Sequence, residues 1–154
     1  MAVNAFMKIT GQKQGVIKGA VTSKGRENTI EINDLTYGVV TPRDAASGLP
    51  KGKRQHQPIQ VTVPTGPQTP ELFTAIASNE NLTSVEIDFY LGAGGREKLA
   101  FTIKLTNASI SEFDLNLESD TDLLDQYSFT FQKIVLTWAA GGITGEDDWE
   151  APTA

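Results

Sequence analysis

A single histidine is the side chain in this sequence best suited to catalysis, and its neighbours do not prepare it for that role. His56 lies two residues after Arg54 in a polar, basic stretch of the chain. Nucleophilic catalysis of the Ser–His–Asp type needs a histidine whose ring is held by a partner group, and a neighbouring cation does not orient an imidazole. We therefore expect His56 to be a solvent-exposed or interfacial polar residue, and the sequence predicts no catalytic residues.

Two other patterns resemble ligand sites but lack the chemistry that such sites need. The glycines between Gly92 and Gly95 lead into another strand, whereas a phosphate-binding loop opens a helix and carries Gly-Lys-Ser/Thr. They are typical of a hairpin turn. The spacing of Asp120, Asp122 and Asp125 is similar to that of a calcium loop, but the central glycine and the terminal glutamate are absent. The sequence thus predicts neither a cofactor nor a metal site.

Length and composition predict one domain, spanning residues 1–154, with an ordinary hydrophobic core. The chain has no cysteine, which excludes disulfides and thiolate metal sites. Its first twenty residues contain no apolar stretch typical of a signal peptide, and no window has the roughly 20 apolar residues of a membrane span. We expect no membrane insertion, and we expect any export to proceed without a cleavable signal peptide.

The charge of the chain is unevenly distributed. The formal net charge of −6 argues against nucleic acid as the main partner. From Glu112 to the end there are ten carboxylates and one lysine, a net charge of −9, which leaves +3 on residues 1–111. Such segregation suits head-to-tail contact between copies of the chain. The alternative, solvated charges on the surface of a single domain, is equally open at this point.

Alternation of apolar and polar residues dominates the chain and predicts β-strands. The alternation changes phase at three places, which predicts a bulge or bend at each. These places are Asn33-Asp34, the residues between Ile110 and Phe113, and the residues after Phe131. Bent strands let a sheet close on itself, so we expect mainly β structure in an antiparallel β-barrel or tight sandwich.

One segment has helical spacing instead. Thr69 is the expected N-cap, Pro70 fits the first helical position, and apolar residues follow at three- and four-residue intervals up to a stop at Ser78-Asn79. A helix of about two turns is not stable alone in water. We therefore expect one short helix that plugs one opening of the barrel.

A long extended loop, residues 41–58, precedes one of the strands. It carries a basic group, and no stacking aromatic residue of the kind found in nucleic-acid grooves accompanies this group. The basic residues are Arg43, Lys51, Lys53 and Arg54. We expect the loop to lack a partner within its own chain and to dock on an acidic protein surface.

Residues 139–154 are interpreted as an acidic C-terminal tail, rich in small residues. Trp149 stands between Asp148 and Glu150, where a large apolar ring is out of place in a purely solvated segment. We expect Trp149 to dock on this subunit or on a neighbour. A merely exposed tryptophan is the alternative.

Five segments of the chain carry a family resemblance. They are Met1–Ile9, Ile30–Val39 with its Tyr-Gly pair, Gly52–Pro58 followed by the alternating Ile59, Val61 and Val63, the helix segment Thr69–Ser78, and Leu99–Ala108. Together they resemble the haemolysin-coregulated protein family, the inner-tube subunits of bacterial type VI secretion systems. The match at Gly52–Pro58 is the most specific of the five.

The resemblance implies a β-barrel subunit that closes into six-membered rings, which stack into a hollow tube. It implies contacts with a contractile sheath, a spike protein and a baseplate, and effector proteins carried in the lumen. It further implies assembly in the bacterial cytoplasm followed by secretion. The loop would contact a neighbouring subunit through Arg43, Leu49, Lys51, Lys53, Arg54, Gln55 and His56. Small polar residues on strand faces would line the lumen, and Thr36 and Ser111 are the candidates.

Three other functions remain open. A monomeric β-barrel that binds a small ligand or carbohydrate would need clustered aromatic residues, and those of this chain are spread along the sequence. A secreted enzyme would need catalytic residues or a further domain, which the sequence does not indicate. A contractile phage tail-tube subunit shares the mechanism of a secretion tube. The size of the protein in solution distinguishes a ring from a monomer.

Overall fold

The computed structural model describes residues 3–92, 96–118, 120 and 122–149. Eleven strands and one helix lie in this part of the chain. The strands are β1 Val3–Gly11, β2 Gly15–Ile17, β3 Ile30–Ile32, β4 Asp34–Thr36, β5 Val39–Val40, β6 Gln55–His56, β7 Ile59–Pro64, β8 Leu82–Leu91, β9 Lys98–Glu118, β10 Asp122–Trp138 and β11 Ile143–Asp148, and the helix is α1 Gln68–Ala77. The expectation of a mainly β protein with one short helix is confirmed.

Nine of the strands form one large antiparallel sheet, whose main order is β2-β1-β8-β9-β10-β7-β4, and β5 and β6 form a separate pair. Strand β3 also pairs with β1, and β11 also pairs with β10. Because β3 and β4 are consecutive in the chain, residues 30–36 join the β1 end of the sheet to the β7 end. The sheet therefore closes into the barrel that the alternation predicts.

The predicted phase changes coincide with breaks in the ladders. Asn33 separates β3 from β4, and its backbone N–H donates to the carbonyl of Thr62 at 2.8 Å. Because of this break, the chain pairs with β1 through β3 and then with β7 through β4. The ladder between β9 and β10 is interrupted directly after Phe131, where Gln132 lies opposite Asn107. At this point Asn107 has a positive φ of 51°. The third change of phase thus coincides with a local kink of β9.

The remaining phase change is a bulge in β9. Ser128 pairs with Glu112, whereas the next residue, Phe129, pairs with Ile110. Ser111 is therefore the extra residue of the bulge. It lets Ile110 and Phe113 face the same interior although they are three residues apart, which bends the long β9–β10 hairpin around the core.

The core consists of the inward residues of the strands together with one face of α1. Its largest fully buried side chains are Tyr127, Phe129, Met7, Ile9, Ile17, Ile30, Ile59, Leu72, Leu82, Ile87, Leu105 and Gln68. Helix α1 contributes Leu72 and Ala75 and packs against β2 and β9. A helix of this length is stable here because its apolar face is buried against the sheet.

The helix starts two residues earlier than the sequence predicts. Gln68 is already helical, and Pro67 precedes it without a side-chain cap, so the assignment of Thr69 as N-cap is wrong. The hydroxyl of Thr69 instead donates to the buried carboxylate of Asp125. That carboxylate also accepts hydrogen bonds from Thr65 and Tyr127, both at 2.7 Å. A tertiary partner has replaced the local capping bond.

The acidic tail is more ordered than its composition indicates. Residues 139–142 form a turn in which Gly141 and Gly142 have φ values of 88° and 60°, and β11 returns along β10. The interpretation of residues 139–154 as a tail is therefore wrong for 143–148, and residues 150–154 lie outside the described residues. Of the predicted glycine hairpin, residues 93–95 also lie outside them, and the pairing of Leu91 with Lys98 flanks this gap.

Candidate subunit-contact surfaces

The extended loop leaves the barrel as a narrow two-stranded ribbon. Val39 pairs with His56 and Val40 with Gln55, and an isolated bridge joins Arg43 to Pro50 farther out. The tip is held by Asp44, which accepts a hydrogen bond from the hydroxyl of Ser47 at 2.7 Å. We call residues 39–56 the loop ribbon. Its pairing gives a long surface loop a defined shape.

The predicted contact residues of the loop fall into two groups. Arg43, Leu49, Lys51, Lys53 and Gln55 are exposed. Neither Arg43 nor Lys51 forms an ion pair with any residue in the described ranges. These five side chains are placed where another molecule could reach them, and their role in subunit contact stays a prediction.

His56 belongs to the second group, because its side chain is only 4% exposed. Its Nε2 lies 2.6 Å from Oδ2 of Asp147, and its Nδ1 lies 2.6 Å from the hydroxyl of Tyr37. A carboxylate accepts, so Nε2–H donates to Asp147, and Nδ1 shares the second hydrogen bond with the hydroxyl of Tyr37. Of the two expectations for His56, a solvent-exposed ring without an orienting partner is wrong, and a role in subunit contact stays a prediction.

Arg54 is the other member of the second group. Its Nε donates to the carboxylate of Asp147, and its Nη2 donates to the carbonyl oxygen of Asp148 at 2.8 Å. The Arg54 hydrogen bond, supported by that from His56, lowers the pKa of Asp147 to about 2. The expectation that the basic loop lacks a partner in its own chain is therefore wrong for Arg54. The partner is 93 residues away in sequence and comes close only because β11 pairs with β10.

Trp149 completes this contact from the end of β11. Its backbone N–H donates to the carbonyl of Gln132 at 2.8 Å, and its ring centroid lies 4.9 Å from that of His56. Its carbonyl oxygen accepts a hydrogen bond from Nζ of Lys53 at 3.3 Å. Trp149 thus lies on its own chain, packed against the hydrophobic core. We call Tyr37, Arg54, His56, Asp147 and Trp149 the loop clasp.

The clasp brings together aromatic rings that the sequence spreads apart. Tyr37, His56 and Phe131 are in mutual ring contact, with centroids 5.3–6.1 Å apart. A cavity of about 210 Å³ lies beside His56, Phe131 and Trp149, and one of about 360 Å³ lies beside Tyr37 and Arg54. The rings pack mainly against one another, and we interpret this cluster as one that stabilises the base of the loop ribbon.

The two candidate lumen residues are both exposed and lie near one another on the sheet. Thr36 pairs with Gln60, which in turn pairs with Ser128. The hydroxyl of Ser111 donates to the carbonyl of Ser128 at 3.2 Å. The two residues therefore belong to one polar stretch across β4, β7, β10 and β9. Their exposure to a lumen stays a prediction.

Within the described ranges, no three His, Cys, Asp or Glu side chains are grouped so that they could hold a metal ion. The described part of the chain also contains no helix with the length and apolar character needed to cross a membrane.

The sequence and the fold are both similar to those of known proteins. A family model described as Type VI secretion system effector, Hcp, matches residues 6–138. A Pseudomonas aeruginosa relative named Major exported protein is 34% identical over 171 residues, which cover 100% of this chain and 99% of the relative. Two solved structures are similar over almost the whole chain.

The first is a crystal structure of an Hcp protein, 33% identical, with a TM-score of 0.89 over 98% of this chain and 100% of that one. The second is secreted protein Hcp3 from Pseudomonas aeruginosa, 29% identical, with a TM-score of 0.82 over 97% of this chain and 100% of that one. The likeness therefore includes the barrel, the loop ribbon and the C-terminal strand.

Proposed function

The chain belongs to the haemolysin-coregulated protein (Hcp) family of type VI secretion systems, and from this membership we propose that it is a structural subunit of a secretion tube. The observation that carries the proposal is the match in sequence and fold over nearly the whole chain. The exposed loop ribbon supports it, since a structured loop with apolar and basic side chains in water is suited to contact with another subunit.

The proposed assembly is a six-membered ring, and such rings stack into a hollow tube. The closed barrel supports a repeating unit of this kind, because closure leaves few unpaired strand edges and contact is then made by side chains. The segregated charge supports head-to-tail rather than self-complementary contact. In this proposal a sheath surrounds the tube, a spike and baseplate organise its end, and effector proteins travel in the lumen past Thr36 and Ser111.

The role is architectural, without catalysis and without a cofactor. His56 is the only histidine, and both of its ring nitrogens are occupied by Tyr37 and Asp147. The side chain of His56 is only 4% exposed, so a substrate has little access to the ring, and this burial supports a structural role. The subunit is assembled in the cytoplasm and then exported, a proposal supported by its similarity to a major exported protein.

The mass of the purified protein in solution tests the proposal. Light scattering at micromolar concentration should give a mass near six times the 16.6 kDa of one chain. A mass of one chain at every concentration would contradict the proposal. It would favour a monomeric ligand-binding barrel, for which the cavity of about 360 Å³ is large enough.

A further inference from the structure

The loop ribbon and strand β11 both have little buried surface of their own. In the ribbon, all residues are exposed except Pro42, Asp44, Arg54 and His56. The first four residues of β11 are exposed, and its only apolar side chain, Ile143, is 66% exposed. Segments with few buried apolar contacts are the ones that open locally while the rest of a fold stays intact.

Backbone pairing alone does not explain why both segments are ordered. Strand β11 pairs with β10 and with no other strand in the described part of the chain. The ribbon pairs with itself, through β5 and β6 and through the bridge between Arg43 and Pro50. An isolated two-stranded hairpin is marginally stable in water, so contacts at the base of the ribbon must contribute to its order.

The loop clasp is the place where the two segments meet. Four hydrogen bonds join the ribbon to the end of β11: from Nε of Arg54 and Nε2 of His56 to the carboxylate of Asp147, from Nη2 of Arg54 to the carbonyl oxygen of Asp148, and from Nζ of Lys53 to that of Trp149. Every one of these bonds has its donor in the ribbon and its acceptor in β11 or in the residue that follows it. A movement that separates the two segments therefore breaks all four together.

The same contact buries groups that need a partner. The side chain of Arg54 is 16% exposed and that of Asp147 is 30% exposed, and the ring of Trp149 packs against His56. If β11 moves away, Arg54 and His56 lose their acceptor, and if the ribbon moves away, Asp147 loses both donors. A charged group that stays buried without its partner is destabilised. Displacement of one segment therefore favours displacement of the other.

The clasp also contains a donor that is not satisfied in the closed form. Nη1 of Arg54 is buried and has no hydrogen-bond partner among the described residues. A buried N–H of a charged group without a partner opposes folding, and it gains contact with water when the segment opens. The closed clasp is therefore less stable than its four hydrogen bonds alone indicate.

We propose that the loop ribbon and β11 form one conformational unit, which opens and closes as a whole while the barrel stays folded. Strand β11 acts as a strap at the base of the ribbon, and the clasp is its fastening. By thermodynamic linkage, a molecule that binds the closed ribbon also orders β11, and a molecule that holds β11 in place also orders the ribbon. This inference goes beyond the proposed function and concerns contacts within one chain.

Hydrogen–deuterium exchange of the natural protein tests the coupling without any substitution. The amide of Gln57 at the base of the ribbon donates to Gly38, and that of Trp149 at the end of β11 donates to Gln132. Both amides should exchange through an opening with the same free energy and the same dependence on urea, whereas amides of β1 and β8 should exchange more slowly. Different urea dependences for Gln57 and Trp149 would contradict a common opening.

A substitution in β11 should be felt in the ribbon. We expect Asp147→Asn to raise the exchange rate of the Gln57 amide by about tenfold or more, because Arg54 and His56 lose the charged acceptor that holds the ribbon. Glu146→Gln is the matched control, since its carboxylate is exposed and pairs with Lys133 rather than with the ribbon. The control should leave the exchange of Gln57 unchanged.

The reverse substitution, in the ribbon, should be felt in β11. We expect Arg54→Gln to raise the exchange rate of the Trp149 amide by a similar factor, because the strap loses its bonds to the guanidinium. Arg43→Gln is the matched control in the same ribbon, since Arg43 forms no ion pair with any residue in the described ranges. Faster exchange confined to the segment that carries the substitution would overturn the coupling.

Light scattering on the same samples separates this inference from the proposed function. The variants are compared at a concentration at which all have the same mass, so that a change of assembly does not alter the exchange rates. A multimer in which the two segments exchange independently would overturn the coupling and leave the tube subunit intact. A single chain in which they exchange together would support the coupling and contradict the tube subunit. If a variant also speeds exchange in β1 and β8, the urea dependence in the natural protein decides.

Discussion

Asp147 is the residue on which the base of the loop ribbon depends most. Asp147 lies in β11 and accepts hydrogen bonds from Arg54 and His56, two side chains of the loop ribbon. Both donors are largely buried, so neither has full access to water if the carboxylate is lost. A buried donor without a partner destabilises the fold by more free energy than one hydrogen bond contributes. The carboxylate of Asp147 therefore matters more for stability than its own partial exposure indicates.

Replacement of this carboxylate should destabilise the fold. We expect Asp147→Asn to lower the free energy of unfolding by about 1–3 kcal/mol, because the Arg54 cation keeps its burial and loses its counter-charge. Urea denaturation followed by circular dichroism measures the change. Glu146→Gln is the matched control, since Glu146 is exposed and pairs only with Lys133 at 3.5 Å. A loss as large in the control as in Asp147→Asn would contradict a special role for the clasp.

The same carboxylate should make stability depend on pH. Its pKa is lowered to about 2 in the folded protein, so the ionised form is favoured by folding. Its contribution is fully present above the unfolded pKa, near 4, and is lost as pH falls from about 4 to about 2. The stability difference between the natural protein and Asp147→Asn should shrink across that window. A difference that is constant from pH 6 to pH 2 would be inconsistent with this ionisation.

At the scale of elements, α1 has two faces with different tasks. Leu72 points into the core and is fully buried, whereas its neighbour Phe73 is 56% exposed. Adjacent positions on one helix therefore separate the stability of the fold from the contact between copies.

Two alanine substitutions test this division of α1. We expect Leu72→Ala to lower the free energy of unfolding by about 2–5 kcal/mol, since it leaves a cavity in the core. Phe73→Ala should change unfolding by about 0.5 kcal/mol or less and should instead weaken assembly in light scattering. If Phe73→Ala assembles normally at all concentrations, α1 is not part of the surface that contacts another copy.

Elements that depend on neighbouring residues could be predicted from the sequence, whereas features that depend on residues far apart in the chain could not. Alternation is local, so the strands, the break at Asn33 and the bulge at Ser111 could be predicted from the sequence. The start of α1 could not, because Thr69 is engaged by Asp125, 56 residues away. Strand β11 could not be predicted from the sequence, because Gly145 and three consecutive acidic residues show no apolar alternation. The glycines of the 139–142 turn were the available signal for a hairpin.

The clasp could not be predicted for a related reason. The partners Tyr37, His56 and Asp147 are 19 and 91 residues apart in sequence, and only the pairing of β11 with β10 brings them together. The exposure of Leu115 and Leu117 could not be predicted either. Phe113, Leu115 and Leu117 alternate as a buried strand does, and the pattern does not reveal where the barrel ends along β9.

At the scale of the whole molecule, charge and apolar surface act together. The loop ribbon carries both exposed apolar side chains, such as Leu49, and exposed basic ones, Arg43 and Lys51. Because the basic side chains are exposed, their contribution to a contact with another copy depends on ionic strength, whereas that of Leu49 does not.

Salt should therefore reduce the effect of reversed charge. We expect the assembly defect of Arg43→Glu/Lys51→Glu to be large at 0.1 M salt and small at 1 M, where the screening length falls to about 3 Å. Analytical ultracentrifugation at the two salt concentrations measures it. Leu49→Ala is the comparison, since it removes apolar surface of the loop ribbon without changing charge, and its defect should persist at 1 M. Equal defects at both salt concentrations for the ribbon variant would argue against an electrostatic role.

Negative-stain electron microscopy of the purified natural protein tests the proposed assembly most directly. We expect hollow rings with six-fold symmetry in end-on views, because the proposed role of the chain is to contact copies of itself. Fields of single small particles at micromolar concentration, with no rings or stacks, would contradict it.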